Sequence, residues 1–260
     1  MPELSGVTVV VTRPVHQAEK LCQLIEAAGG KALRFPVIDI RSPENLQQCR
    51  AQLARLVDYD LAIFVSANAV NATMAMLKTP EAWPIALPVA AVGKATAQAI
   101  TKKGLPTPCV APEPFNSEAL LSLPEMQKLD GKRILIFRGN SGRELLRNSL
   151  CERGAHVDYI ECYQRVIPEA DTGALYAAWE QTQARPDNIP IVVTSNEGLQ
   201  NLVSMIDKEH QPALFASPLM LISERTASLS SRLGFLQAPV VATAANDDAV
   251  LVALKTWAKP

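Results

Sequence analysis

Apolar and polar positions follow a repeated rhythm along this chain: a short unbroken apolar run, a polar turn, then an apolar stripe at helical spacing. Val7-Thr8-Val9-Val10-Val11-Thr12 opens it, Pro14 stands at a helix start, and Ala18, Leu21, Cys22 and Ile25 share one helical face. Gly29-Gly30 closes that helix and a second strand follows over 32–35. Further strands are predicted over 61–65, 89–92, 107–110, 133–137, 156–159, 191–194, 219–222 and 240–241. Helices are predicted over 45–57, 68–77, 94–103, 173–183, 197–206 and 224–233, with one beginning near Ser141, one capped by Asn116 or Ser117 and a last one from Asn246. Two extended pieces, 37–41 and 162–166, are bounded by Pro36, Pro43 and Pro168 and read as connectors outside the sheet core. Ten sheet strands alternating with helices argue for doubly wound parallel sheets.

The pattern is stated twice. Arg138, Glu144 and Gly154 follow Arg13, Glu19 and Gly29 by 125 positions, and Ser195 follows Ser66 by 129. Thr226, Gly234, Asn246 and Ala249 follow Thr96, Gly104, Asn116 and Ala119 by 130. An ordered series with a nearly constant shift reads as an internal duplication, giving two similar lobes with five strands each. The spacing alone permits two partitions: halves folding in order and dividing near residue 128, or halves trading pieces at the two connectors, which would then form a two-stranded antiparallel linker.

Composition narrows the class. With 48% hydrophobic and 20% charged residues the chain reads as globular, and each half is long enough to bury a core. No apolar run approaches the length that spans a bilayer, and the first residues show no basic stretch followed by an apolar core. A cytoplasmic location with no membrane partner is expected. The five cysteines are scattered with no C-x-x-C pair, and the three histidines are far apart, so neither a disulfide framework nor a metal site is predicted. A net charge of −1 gives no general attraction for nucleic acid.

Candidate chemistry gathers where strands end and helices begin. Arg13, Ser66, Asn68, Thr96, Arg138, Asn140, Ser141, Ser195, Asn196, Ser223 and Thr226 occupy these positions. Residues at the carboxyl ends of parallel strands face the ligand, and helix N-termini favour anions. Helix capping calls for Ser, Thr and Asn at the same places, but it does not explain the arginines. A rim for a polyanion does. No dinucleotide fingerprint, P-loop, G-x-S-x-G elbow or H-E-x-x-H is present. Tyr163, in the second connector, is the one aromatic at a position open to both packing and chemistry.

Val11-Thr12-Arg13-Pro14, Phe64-Val65-Ser66-Ala67-Asn68-Ala69-Val70 and Ala91-Val92-Gly93 with Thr96-Ala97 together carry a resemblance. So do Gly131-Lys132-Arg133, Arg138-Gly139-Asn140 with Gly142-Arg143-Glu144-Leu145, Tyr163-Gln164-Arg165 and Thr194-Ser195. The set, running nearly end to end, resembles the uroporphyrinogen-III synthases. That resemblance implies a cofactor-free lyase of tetrapyrrole biosynthesis. Such an enzyme closes linear hydroxymethylbilane, with loss of water, into a macrocycle whose last ring is inverted through a spiro intermediate. It implies the second partition, with lobes 1–36 plus 167–260 and 41–165, and linkers 37–41 and 162–167. It further implies a monomer, delivery of substrate by hydroxymethylbilane synthase, Tyr163 as the catalytic group, and Thr96, Thr226, Ser66 and Ser195 as carboxylate contacts. The chain departs from the family at Ser223-Glu224-Arg225, where Gly-x-x is common, which bears on any close backbone approach at that turn. From another class, a two-lobed cytosolic binding or sensing protein for a small polyanion would need a similar rim.

Overall fold

The computed structural model describes residues 2–77, 79–181 and 188–259. In chain order, β1 (Thr8–Val11), α1 (Val15–Ala27) and β2 (Lys31–Arg34) are followed by β3 (Asp39–Arg41) and α2 (Leu46–Leu53). Then come β4 (Leu61–Phe64), α3 (Ala67–Leu77), β5 (Val89–Ala91), α4 (Lys94–Lys102), β6 (Cys109–Val110) and α5 (Ser117–Leu121). Next are β7 (Arg133–Gly139), α6 (Leu145–Glu152), β8 (His156–Val166), α7 (Gly173–Gln181), β9 (Ile191–Val193) and α8 (Asn196–Met205). The chain closes with α9 (Gln211–Ala216), β10 (Leu219–Leu221), α10 (Glu224–Leu233), β11 (Val240–Val241) and α11 (Asp247–Trp257).

These elements form two compact units, Met1–Asp39 with Val166–Pro260, and Ile40–Arg165. The first unit holds a sheet of order β11-β10-β9-β1-β2; the other sheet runs β3-β8-β7-β4-β5-β6. Taken from β2 and from β8, the two orders correspond strand for strand: β2-β1-β9-β10-β11 and β8-β7-β4-β5-β6. The register corresponds too. Thr8 lies opposite Lys31 and Arg133 opposite His156, while Val10–Ile191 is answered by Leu135–Ala62. All of these pairings are parallel.

Why an unbroken apolar run makes such a strand is plain in β7. Successive side chains point to opposite faces. Leu135 and Phe137 enter a core with Phe64, Met74 and Ile100, whereas Ile134 and Ile136 enter a second core with Leu120, Leu146 and Leu150. Each of these residues has at most 7% of its surface exposed, and each such burial contributes about 1.5–3 kcal/mol. In the other unit, Val9 and Val11 pack on the predicted face of α1, Ala18, Leu21, Cys22 and Ile25, together with Val250 and Leu254 of α11.

Several expectations are corrected. There are eleven strands among the described residues, not ten, because the two connector pieces are taken into the second sheet. The piece at 162–166 is the continuation of β8, and β3 lies beside it at the sheet edge. Backbone groups of an extended segment need partners, and two such segments side by side supply them. The helix expected near Ser141 starts at Leu145 instead, four residues later. The helix expected over 45–57 ends at Leu53 and is followed by a separate 3-10 turn, Leu56–Asp58. Helix α9 was not expected; it carries Pro212 in its first turn, where a proline costs no intrahelical hydrogen bond. The last two residues of the helix predicted over 173–183 lie outside the described residues.

Candidate active site

In the unit Ile40–Arg165, Ser66 follows the carboxyl end of β4 by two residues and caps α3, its Oγ accepting the Ala69 N–H at 3.1 Å. The same Oγ lies 3.1 Å from the phenol oxygen of Tyr163. Tyr163 is buried, 4% exposed, with its ring over Gly139 at the end of β7. Asn68 sits in the first turn of α3. Thr96, also 4% exposed, stands in the first turn of α4. Gly93 precedes that helix and offers no side-chain cap, leaving the helix N-terminus to other partners. A Cβ at Gly93 would meet nothing within 4 Å, and φ is −150°, so neither backbone nor packing demands glycine there.

The arginines are already engaged. Arg138 is 8% exposed; its Nη1 donates to Glu144 Oε1 at 2.8 Å and its guanidinium lies 4.4 Å from the Tyr159 ring centroid. Tyr159 OH donates to the other oxygen of Glu144 at 2.9 Å, closing a three-residue clamp. The hydrogen bond from Arg138, then that from Tyr159, holds the Glu144 carboxyl below its ordinary range. Burial opposes the charge on Arg138, and Glu144 and Tyr159 together outweigh it. Arg13 is likewise ion-paired, with Asp247 at the start of α11.

Asn140 serves the backbone of β8: its Oδ1 accepts the Arg165 N–H at 2.9 Å, and its own N–H donates to Tyr163 O at 3.1 Å. Ser141 is exposed in the loop before α6 and caps no helix, which corrects the expectation that it starts one.

In the other unit, Ser195 Oγ caps α8 by accepting the Gly198 N–H at 3.0 Å. Thr226 donates to Asn196 Oδ1 at 2.8 Å and lies 2.9 Å from Ser223 Oγ, so three of the expected residues form one hydrogen-bonded cluster. Ser223 caps α10 in an extended conformation, φ −157° and ψ 145°, close to that of Gly93. Serine therefore fits this turn without strain, but its hydroxyl takes the N–H that Gly93 leaves open.

A cavity of about 590 Å³ in the unit Ile40–Arg165 is lined by Glu44, Gln48, Gln52, Tyr159, Glu161 and Gln164 among others. Its two carboxylates and its amides suit a cation better than a polycarboxylate, so size alone does not locate the substrate. Among the described residues no cluster of His, Cys, Asp or Glu could hold a metal ion, and no helix is long and apolar enough to cross a membrane. Sequence reasoning missed Gly139, Glu144 and Asp247. Gly139 gave no signal beyond its place in the motif Arg138-Gly139-Asn140, and the two acids gave only the faint signal of lying at helix starts.

Two sheets of matching spatial strand order define an α/β protein: one is wound in the flavodoxin-like way, the other is a circular permutation of that winding with β3 added at its edge, and each has hydroxyls and helix N-termini at its carboxyl edge. The family model described as Uroporphyrinogen-III synthase HemD matches residues 19–251. The uroporphyrinogen-III synthase of Escherichia coli is 38% identical over 95% of this chain and 100% of its own length, and that of Salmonella typhimurium is also 38% identical, over 95% and 100%. A crystal structure of a mutant uroporphyrinogen III synthase from Thermus thermophilus shares the fold, with a TM-score of 0.66 at 20% identity over 97% of this chain and 98% of that one. The chain belongs to the uroporphyrinogen-III synthase family.

Proposed function

We propose that this chain closes hydroxymethylbilane to uroporphyrinogen III in tetrapyrrole biosynthesis, with Tyr163 as the catalytic group. The observation that carries the site assignment is the pairing of the Tyr163 phenol with Ser66 at 3.1 Å, at the carboxyl ends of β4 and β7, where a parallel sheet presents its chemistry. Loss of the hydroxymethyl oxygen leaves an electrophilic azafulvene that would cyclise unaided to the symmetric isomer. Steering attack to the substituted carbon of the last ring is a task of positioning. A phenol beside the departing hydroxyl donates the proton that lets it leave as water. The electron pair that closes the ring comes from the last pyrrole; the spiro intermediate then fragments and recloses, and the proton that the last ring loses as it regains aromaticity restores the phenol.

Carboxylates on every ring of the substrate need donors. The open N-terminus of α4 with Thr96, and the Ser195-Asn196-Ser223-Thr226 group, are the sets we assign to them. Asn68 joins the first set. Arg13, Arg138, Asn140 and Ser141 remain candidates through their charge or their loop, although the first three already have intramolecular partners. The reading places the protein in the cytoplasm as a monomer, supplied with substrate by hydroxymethylbilane synthase.

The test is direct. Hydroxymethylbilane is supplied, the products are oxidised and the porphyrin isomers are separated; isomer III is expected, and isomer I alone would overturn the activity. Tyr163→Phe is expected to lower kcat by roughly 10²-fold or more, the usual contribution of a positioned proton donor. Turnover equal to the parent would remove Tyr163 from the mechanism.

A further inference from the structure

The seat of Tyr163 is built from an irregularity in the sheet. Arg138 of β7 lies opposite Glu161 of β8, yet the next residue, Gly139, lies opposite Tyr163, so the register shifts by one and Cys162 is the additional residue. Side chains along a strand alternate between faces, and one extra residue transfers everything after it to the other face. Ile160, before the shift, and Tyr163, after it, consequently belong to the same core as Leu135 and Phe137. A regular strand would put Ile160 and Tyr163, three positions apart, on opposite faces. Cys162 occupies the irregular position without leaving it unsatisfied. Its thiol donates to Arg138 O at 3.3 Å, and burial pushes its pKa up to about 12, so it stays a protonated donor.

The shift would be useless if β7 carried a side chain at the facing position. A Cβ on Gly139 would stand 2.8 Å from Tyr163 Cζ, 2.9 Å from Cε2 and 3.1 Å from the phenol oxygen. Real Cβ atoms essentially never come as close to another heavy atom as the first two of these contacts, and the neighbour is a rigid ring already pinned by its own backbone, since Tyr163 O accepts the Asn140 N–H at 3.1 Å. Gly139 has no left-handed φ, so its conformation is one that any residue adopts. Glycine is required here by the ring above it.

We infer that Gly139 is a positioning residue for the reaction: its bare backbone, presented by the register shift at Cys162, is the floor on which the Tyr163 ring lies with its hydroxyl against Ser66. This rests on the assignment of Tyr163 as catalytic group, and it adds what holds the group in place. Displacing the ring by a methyl group tilts the phenol away from the Ser66 hydroxyl, where a shift of about 1 Å is enough to lose most of the advantage of orientation.

The test is a pair of double-mutant cycles in the full chain. In the first, Gly139→Ala, Tyr163→Phe and the double variant are assayed for kcat, KM and isomer ratio. Gly139→Ala is expected to lower kcat at least about tenfold with KM little changed, and the double variant to be no slower than the slower single one, because both act on one group. Losses that multiply, or a Gly139→Ala variant with parental kcat, would overturn the inference. The second cycle uses thermal stability and survives poor folding of the single variant. Gly139→Ala is expected to lower Tm when Tyr163 is present and to have much less effect in a Tyr163→Ala background, where no ring meets the methyl. An equal loss in both backgrounds would show a role independent of the tyrosine. Should Tyr163→Phe itself retain parental turnover, the catalytic assignment fails, while the second cycle still decides whether Gly139 is the ring's seat.

Discussion

Helix α1 of one unit and helix α6 of the other follow corresponding strands, β1 and β7, and are used differently. Helix α1 runs Val15–Ala27 and α6 runs Leu145–Glu152. Their last residues are 125 positions apart, the offset that relates β1 to β7, so the two helices end together. They do not begin together. The counterparts of the first five residues of α1 are Asn140–Glu144, which form a loop. Pro14, at φ −48°, sets α1 going at once, and its carbonyl accepts the Gln17 N–H at 2.8 Å. In the second case Asn140 gives its side chain to Arg165, Gly142 takes φ +154°, and Glu144 is held by Arg138 and Tyr159. More than one turn of helix is exchanged for a loop that fastens the end of β7 to β8. A shared scaffold tolerates this because the sheet and the far end of the helix fix everything else.

A larger contrast lies beneath that loop, and breaking it should have the largest effect on stability. Phe137, near the end of β7, corresponds to Thr12, the residue just after β1. Phe137 is fully buried, stacked on Phe64 at 4.4 Å between ring centroids and 5.8 Å from Trp83. The Thr12 side chain instead donates its hydroxyl to Val192 O at 2.7 Å. Phe137→Ala is expected to cost about 3–5 kcal/mol through lost contact and the cavity left behind, and Thr12→Val only about 1 kcal/mol. Urea unfolding of both variants checks the ratio. Equal costs would mean that the aromatic cluster contributes no more than a single hydrogen bond.

A smaller effect, and one with a pH signature, is expected at Glu144. Its carboxyl is held below the ordinary value, first by Arg138 and then by Tyr159. A depressed carboxylate stabilises the fold fully above its unfolded-state pKa of about 4.3, and that contribution fades as pH falls through the lower, folded-state value. Glu144→Gln should therefore reduce Tm at neutral pH, with the gap to the parent narrowing in acid. Thermal melts across that range decide it, and a gap that stays constant would place the clamp's strength outside the charge. Arg13 and Asp247 perform the corresponding pairing in the other unit with an acid drawn from the far end of the chain.

That distance explains which parts were legible. The face of α1, Ala18 through Ile25, could be read because helical spacing repeats within a few residues, and helix starts could be placed at Asn116 or Ser117 and at Asn246, where both asparagines prove to be caps, because a cap and its helix are adjacent. The hydroxyls at the strand ends were legible for the same reason. Nothing local announced that Asp247 would meet Arg13, since 234 positions separate them. Nor could the register shift at Cys162 be seen, because it exists only between two strands and leaves no trace in either one alone. The unwound start of α6 was hidden by residues that also suit a capped helix; the deciding contacts come from Tyr159 and Arg165 on another strand.

The smallest expected change in stability tests the remaining contrast, between Gly93 and Ser223. Both turns are extended and both precede a helix whose first turn buries a threonine, Thr96 or Thr226. Ser223 accepts the Thr226 N–H at 3.3 Å; Gly93 has no side chain to accept that of Thr96. Gly93→Ser has room, since a Cβ there meets nothing within 4 Å, and capping should raise stability by a few tenths of a kcal/mol. If the open N-terminus of α4 takes a substrate carboxylate, the new hydroxyl occupies the donor and stands where the carboxylate would lie. KM for hydroxymethylbilane should then rise severalfold while kcat at saturation changes much less, the mark of binding lost equally in ground and transition states. A variant that melts slightly higher and keeps the parental KM would show that glycine at this turn serves no ligand, and would shift the carboxylate assignment toward the Ser195-Asn196-Ser223-Thr226 group.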